Sequence, residues 1–433
     1  VIIILEEDSV IENNSQADIN ALTRSRSRRL ERKQDSVIAE IEDNILEGDA
    51  LNVRYQYTWL LNGVATEVPY GIIDEIRQID GVKEVILQPV YNVAENSVTP
   101  YTMSDGEMIG RDDTWKGGYT GKGIVISVID TGIDDDHQNF AALSESQLTG
   151  DSATRETVSN VLDTLNAKAL RPDITADDVY RSTKIAYGFN YVDENLQINH
   201  GGDTQGDHGT HVAGIAAANE LQNNEAVGVA PEAQLYVMKV FGAKGGAYTD
   251  DILAALEDSL ILGADVVNMS LGSPAGFTSD GEKLDEIYGR VSDTNTILAV
   301  AAGNSASSGK GNMWGTNTNL ASNPDNSIIG SPATYVNATS VASVDNAKLK
   351  SQYIEVNGSK VGYVEGSKGT NAPIVGTLGG NEYGFAMVPN CGQEQSDFTG
   401  ADVAGKVAVQ RHHGLQRKGT VCGKCRCGCL PDL

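Results

Sequence analysis

Cysteine is almost missing from the first 421 of the 433 residues, where Cys391 stands alone. That excludes a disulfide-stapled scaffold for this part, so its stability must come from a buried core. Positive charge is also short, since 32 Lys and Arg face 59 Asp and Glu for a net charge of −27. A nucleic-acid groove needs clustered Lys and Arg, so no nucleic-acid partner is expected. No apolar run approaches the ~18 residues of a membrane-spanning helix, and no span is expected in this chain. The sequence starts at Val1, with neither Met nor a leader's apolar stretch, so the expectation is a missing or processed N-terminus. What is present, 40% apolar and 21% charged residues, reads as an acidic globular protein, secreted or at a surface. At about 150 residues per domain, the length predicts two to four domains.

Val1 to Leu5 is a strand-type run. The stretch Arg24 to Lys33 reads as a solvated approach to a helix whose face is Val37, Ile38, Ile41 and Ile45, stopped near Gly48. Strands follow from Val53 with a hairpin turn at Asn62-Gly63. A helical face of Ile72, Ile73, Ile76 and Ile79 then ends at Gly81, before a strand from Val82 to Leu87. The order β-α-β-β-α-β predicts a ferredoxin-like α+β unit, residues 1–98 with a polar linker at 92–104. From Gly123 to Ile129 a β-branched run signals a strand buried on both faces of a parallel sheet. Gln234 to Val240, Ala264 to Met269 and Thr296 to Ala302 read as further strands and Asp251 to Leu262 as a helix. Residues 99–348 are therefore an α/β domain, with 141–200 a polar insertion that is helical around Val158 to Leu170. Residues 349–410, rich in Gly and Val, predict a partial β-rich module.

Asp130 ends the first α/β strand in Val128-Ile129-Asp130-Thr131-Gly132, at the carboxyl edge where open α/β folds build their sites. His208 opens the small-residue segment His208-Gly209-Thr210-His211-Val212-Ala213-Gly214. A carboxylate that fixes a histidine's tautomer leaves the other ring nitrogen to take a proton, the orienting half of a nucleophilic triad. Singly, such an Asp is often a turn cap and such a His a hydrogen-bonded core residue. Together the segments resemble the subtilase family: Asp130 to Asp134 its aspartate motif, His208 to Gly214 its histidine motif. Asn268-Met269-Ser270-Leu271-Gly272 is similar to its cleft-lining strand and Ala301-Ala302-Gly303-Asn304 to its oxyanion segment. The resemblance covers roughly residues 100 to 345. It implies a parallel-sheet subtilisin-like domain and a serine endopeptidase acting on proteins or peptides. Asp130 and His208 would be catalytic, Asn304 the oxyanion donor, and Ser270, Leu271 and Gly272 would hold the substrate backbone. His211 and His137 would have structural roles.

The N-terminal unit resembles the inhibitor-type prodomain of many subtilases. The chain's own prodomain is then an expected partner in the cleft, with processing between 92 and 104. Asp402 to Ala408 resembles a strand of an inserted protease-associated domain. The layout resembles the lactocepin-type cell-envelope proteinases of bacteria, which implies a secreted or envelope location. No cofactor is required on this reading. Calcium as a structural ion would fit Asn139, Asn223 and Asn224, in stretches similar to the family's calcium loop. The nucleophile is missing: Gly-Thr-Ser-Met-Ala occurs nowhere, and Ser273, Ser305, Ser331, Ser359 and Ser367 all lack a following Met-Ala. The chain is expected to be truncated ahead of that serine and inactive as it stands, or else to be a non-catalytic peptide-binding protein. Tail residues 411–433 crowd Cys422, Cys425, Cys427 and Cys429 behind His412 and His413. Two readings stay open there: a zinc site, or a change of reading frame near Gln410 that produces a chance ending.

Overall fold

The computed structural model describes residues 1–12, 14, 16–93, 105–203, 206–219, 227–243, 245–273, 282–304, 329–344, 352–356, 359–363, 384–388 and 406–410. Contacts divide the chain into two units, residues 1–314 with 318–347, and 315–317 with 348–433.

The first unit begins with β1 (Ile2–Leu5), α1 (Gln16–Asn44), β2 (Asn52–Tyr57), β3 (Gly63–Glu67), α2 (Ile73–Ile76) and β4 (Val82–Ile86). These strands form an antiparallel sheet in the order β2-β3-β1-β4, the ferredoxin-like arrangement that the sequence pattern predicts. All four residues of β1 are buried because both its faces are covered. Ile3 and Leu5 pack on Val37, Ile41, Ile73 and Ile76, whereas Ile2 and Ile4 join the core shared with the α/β part.

Three boundaries differ from the sequence reading. The Arg-rich stretch is not an approach to α1 but lies inside it, since Arg, Glu, Lys and Gln propagate a helix well. Asn62-Gly63 is not the hairpin turn. Residues 58–62 form the connection, and Gly63 opens β3 where an added Cβ would stand 2.6 Å from the Ile3 carbonyl oxygen. The region beginning at residue 92 is not all linker, because Val90–Val93 is a strand, β5.

After α3 (Asp105–Met108) and α4 (Arg111–Lys116) the chain enters the α/β part at β6 (Val125–Asp130). It continues through α5 (Arg155–Val161), α6 (Asn166–Leu170), α7 (Ala176–Val179), β7 (Ile185–Asn190), α8 (His208–Ala217), β8 (Gln234–Lys239), β9 (Ala247–Tyr248) and α9 (Thr249–Ile261). It ends with β10 (Val266–Met269), β11 (Leu271–Gly272), α10 (Glu282–Gly289), β12 (Ile297–Ala301) and β13 (Thr339–Val341). Six strands run parallel in the order β13-β12-β10-β6-β8-β7. Ala213 and Ala217 of α8 cover one face of this sheet. Ile252, Leu253, Leu256 and Leu260 of α9 pack in the core on the other. The insertion is shorter than expected: β7, inside 141–200, is an edge strand of the sheet and buried along its whole length. β13 was likewise not foreseen from sequence.

In the second unit β14 (Gln352–Val356) and β15 (Ser359–Tyr363) form an antiparallel pair, while β16 (Phe385–Val388) and β17 (Val407–Gln410) pair in parallel. Asp402 to Gly405, Cys391 and the tail 411–433 lie outside the described residues. Among the described residues no helix is long and apolar enough to cross a membrane.

Candidate active site

Asp130 leaves the carboxyl end of β6 fully buried, and its Oδ1 lies 2.8 Å from Nδ1 of His208, the first residue of α8. Two further bonds join the segments that carry them. The Gly209 N–H donates to Thr131 Oγ1 at 2.8 Å, and the Asp134 N–H donates to Thr210 Oγ1 at 2.9 Å. The approach is too close for any side chain at 209, where an added Cβ would stand 2.1 Å from the Gly132 carbonyl oxygen. Gly, Thr and Gly in the two motifs are therefore what let helix and strand end meet. The Asp130 side chain is 1% exposed and that of His208 19%, so the pair is anchored inside and opens outward through the imidazole. Burial works against a charged His208 ring. The hydrogen bond and charge of Asp130, with the charge of Asp207, outweigh it and hold the pKa above the ordinary histidine value. A carboxylate bonded to Nδ1–H keeps Nε2 as the basic nitrogen, ready to receive a proton.

Sequence reasoning missed Lys239, which faces Asp130 in the register of β6 and β8. Its buried ammonium donates to the carbonyl oxygens of Thr131 (2.7 Å) and Phe241 (2.6 Å) and pairs with Asp203 at 2.5 Å, fixing the backbone next to Asp130. The signal was available, as a Lys ending a buried strand needs partners. His137 accepts the Asn139 N–H at 3.2 Å, and the ring of His211 is pushed toward the neutral form by desolvation and then by the charge of His208.

The cleft elements come from the neighbouring strand ends. Ser270 follows β10 and its Oγ accepts from Asn268 Nδ2 at 3.1 Å. Leu271 and Gly272 form β11, which is already paired: β5 runs antiparallel to it, with Leu271 opposite Val93 and Gly272 opposite Asn92. On its other side β5 pairs with β9, with Val90 opposite Tyr248 and Tyr91 opposite Ala247. Asn304 is exposed three residues beyond the end of β12, the strand beside β10. Of the five serines singled out, Ser273 and Ser331 share a hydroxyl contact of 2.8 Å, Ser359 belongs to β15 in the second unit, and Ser305 and Ser367 lie outside the described residues. Asn223 and Asn224 also lie outside them, and the Asn139 carbonyl already accepts the Asn219 N–H at 2.8 Å. Among the described residues no group of His, Cys, Asp and Glu is arranged to hold a metal ion.

A second set of buried acids, also unforeseen, lies on α9, three of them against the N-terminal unit and Asp258 against α6 and Tyr191. Glu257 accepts the backbone N–H groups of Thr58 (3.1 Å), Trp59 (3.1 Å) and Leu60 (2.9 Å). Asp251 takes two contacts from the Arg54 guanidinium, at 3.1 and 2.9 Å, and the Tyr55 hydroxyl at 2.7 Å. Asp250 shares the same guanidinium at 3.2 Å. Asp258 accepts from Tyr191 Oη at 2.8 Å and from the N–H groups of Asn166 and Ala167. Burial pushes Glu257 up to about 7 against the pull of its three N–H donors. Burial and then Asp250 push Asp251 up to about 7, and burial raises Asp258 to about 6.

Residues 121–412 match the subtilase family. A PII-type proteinase of Lacticaseibacillus paracasei is 36% identical over 314 residues, 70% of this chain and 15% of that protein. A PIII-type proteinase of Lactococcus lactis subsp. cremoris (strain SK11) is 37% identical over 311 residues, 69% of this chain and 14% of that protein. The minor extracellular protease Vpr of Bacillus subtilis is 26% identical over 432 residues, 96% of this chain and 44% of that protein. The chain thus spans about 15% of the length of the first of these relatives. With two thirds of its residues matched, from the first α/β strand onward, and with lactocepin-type proteinases among its relatives, the chain belongs to the subtilase family of serine peptidases.

Proposed function

We propose that the chain carries the inhibitor-type prodomain and the Asp-His part of the cleft of a bacterial serine endopeptidase, secreted or held at the cell envelope. The observation that carries this reading is β5, an extended segment of the N-terminal unit paired on both sides by β9 and β11. An added strand gripped through its backbone is how a protease holds a peptide of varied sequence. In that role Ser270, Leu271 and Gly272 hold substrate, and β5 excludes it until displaced.

His208 Nε2 takes the proton of an attacking serine hydroxyl and later returns it to the leaving amine. Asp130, bonded to Nδ1, stabilises the imidazolium formed between these steps. Asn304 donates its side-chain amide to the oxyanion of the tetrahedral intermediate; loss of the corresponding donor in subtilisin costs about 10²–10³ in rate. No metal enters any step, and calcium would act on stability alone.

No serine of the 433 residues stands in the nucleophile motif. Loss of the nucleophile in subtilisin costs on the order of 10⁶ in turnover, so this chain as it stands holds peptides and does not cleave them. Serine-directed fluorophosphonate labelling and hydrolysis of a chromogenic peptide test the point. No labelled serine and no turnover above background are expected, and a labelled, hydrolysing chain would overturn it.

A further inference from the structure

We infer that Lys239 is a positioning residue for His208: its ammonium bridges the strand end that carries Asp130 and the loop that leads into α8, and so sets the hydrogen bond between the two. This deepens the reading of the Asp130–His208 pair above and rests on it. A lysine head group has three N–H donors, and here each has an acceptor. Two are carbonyl oxygens, that of Thr131 next to Asp130 and that of Phe241 just beyond β8. The third is the carboxylate of Asp203, in the loop that runs to His208. That loop is itself tied down. The Asp203 N–H donates to the His200 carbonyl oxygen at 2.7 Å, and the Gly206 N–H to the Asp203 carbonyl oxygen at 3.0 Å. The Thr131 hydroxyl, which accepts the Gly209 N–H, donates in turn to the Gly206 carbonyl oxygen at 3.4 Å. The stem of Lys239 is held as closely as its head, since a Cβ added at Gly132 would stand 3.0 Å from Lys239 Cδ. One buried cation thus holds the residue after Asp130 and a residue of the loop that ends at His208. A catalytic group misplaced by about 1 Å can cost on the order of 10²-fold in rate, so a pair held from both sides bears on turnover.

A second buried lysine shows what the carboxylate adds. Lys184 stands just ahead of β7, at the opposite end of the parallel sheet, and donates to the carbonyl oxygens of Pro231 at 2.9 Å and Ala233 at 2.6 Å. Burial pushes its pKa down to about 7 against the charge of Glu232, so near neutrality it gives up its proton and the charge-assisted character of its bonds. At Lys239 the Asp203 carboxylate supplies the counter-charge in direct contact and carries the link on to the His208 loop.

The test reads two properties of His208 by NMR on the full chain: the Nδ1 proton, which its hydrogen bond to Asp130 moves to low field, and the pKa of the ring. Lys239→Met keeps the stem and removes the ammonium. The low-field proton is then expected to be lost, and the pKa to fall toward the ordinary histidine value as the Asp130 bond lengthens. Asp203→Ala cuts the loop side alone and should move both readouts the same way by less. Lys184→Met is the control for a lost buried lysine, expected to lower the melting temperature and leave both His208 readouts in place. In an Asp130→Asn background Lys239→Met should bring no further fall in pKa, because it acts through that bond, and an additive fall refutes this route. A folded Lys239→Met chain with an unchanged proton signal and pKa overturns the proposal, as does an equal change in Lys184→Met. Should Lys239→Met not fold, Asp203→Ala takes its place, and unchanged His208 readouts there overturn the proposal. Absence of a low-field His208 proton in the unaltered chain overturns the reading of the Asp130–His208 pair itself.

Discussion

Asp130 and Glu257 are both fully buried carboxylates in the first unit, and their surroundings put them to opposite uses. Asp130 meets a histidine whose ring is partly open to solvent, so its charge acts on a group that can gain and lose a proton toward a guest. Glu257 meets three backbone N–H groups of the loop between β2 and β3, none of which can change its proton content. In the proposed function the first arrangement serves proton transfer, whereas the second holds the loop between β2 and β3 on α9. A buried acid is therefore not by itself a sign of chemistry; what distinguishes the two is whether the partner titrates and reaches the surface.

The sharpest way to break the docking side is Glu257→Ala, which strands three buried N–H donors. A loss of about 3–5 kcal/mol of unfolding free energy in urea is expected, with β5 loosened along with the sheet that carries it. Gly209→Ala attacks the Asp130–His208 side, since its Cβ would collide with the Gly132 carbonyl. About 1–3 kcal/mol should be lost in the same assay, and the histidine–aspartate proton signal in NMR should shift or vanish.

A pH series separates the two regions. Glu257 rises from its ordinary 4.5 to about 7, and Asp251 from 3.8 to about 7, so the folded chain binds protons that the unfolded chain releases. Their contribution to stability is full below about pH 4 and is lost as pH rises through about 7. The melting temperature should accordingly fall between pH 5 and pH 8, and Glu257→Gln should flatten the profile; a profile unchanged by Glu257→Gln contradicts the assignment. The smallest effect is expected from Asp130→Asn. Removing the hydrogen bond and charge that raise His208 should bring its pKa down in an NMR titration, with little change in melting temperature.

The meeting of Asp130 and His208 was legible because its contacts are local to two motifs: Gly132, Gly209, Thr131 and Thr210 serve it directly. The ferredoxin-like sheet was legible too, through the period of Val37, Ile41, Ile73 and Ile76. The docking side was not. The apolar pattern of Thr249–Ile261 marks a helix, yet Asp250, Asp251 and Glu257 on it meet groups about 200 residues earlier in the sequence. β5 escaped for a similar reason, since a strand of four residues shows no period and acquires its strand character from β9 and β11. β7 was absorbed into the insertion because a strand buried throughout shows no alternation against the polar residues around it.

The central claim is that β5 fills the peptide-binding groove beside the Asp130–His208 pair, and amide hydrogen exchange on the full chain tests it most directly. The account predicts that the amides of Val90 to Val93 and of Leu271 and Gly272 are protected together, and that Gly246→Ala, whose Cβ would stand 2.2 Å from the Tyr91 carbonyl oxygen, exposes both sets while the six-stranded sheet stays protected. Free exchange at Val90 to Val93 in the unaltered chain, with that sheet protected, would contradict it.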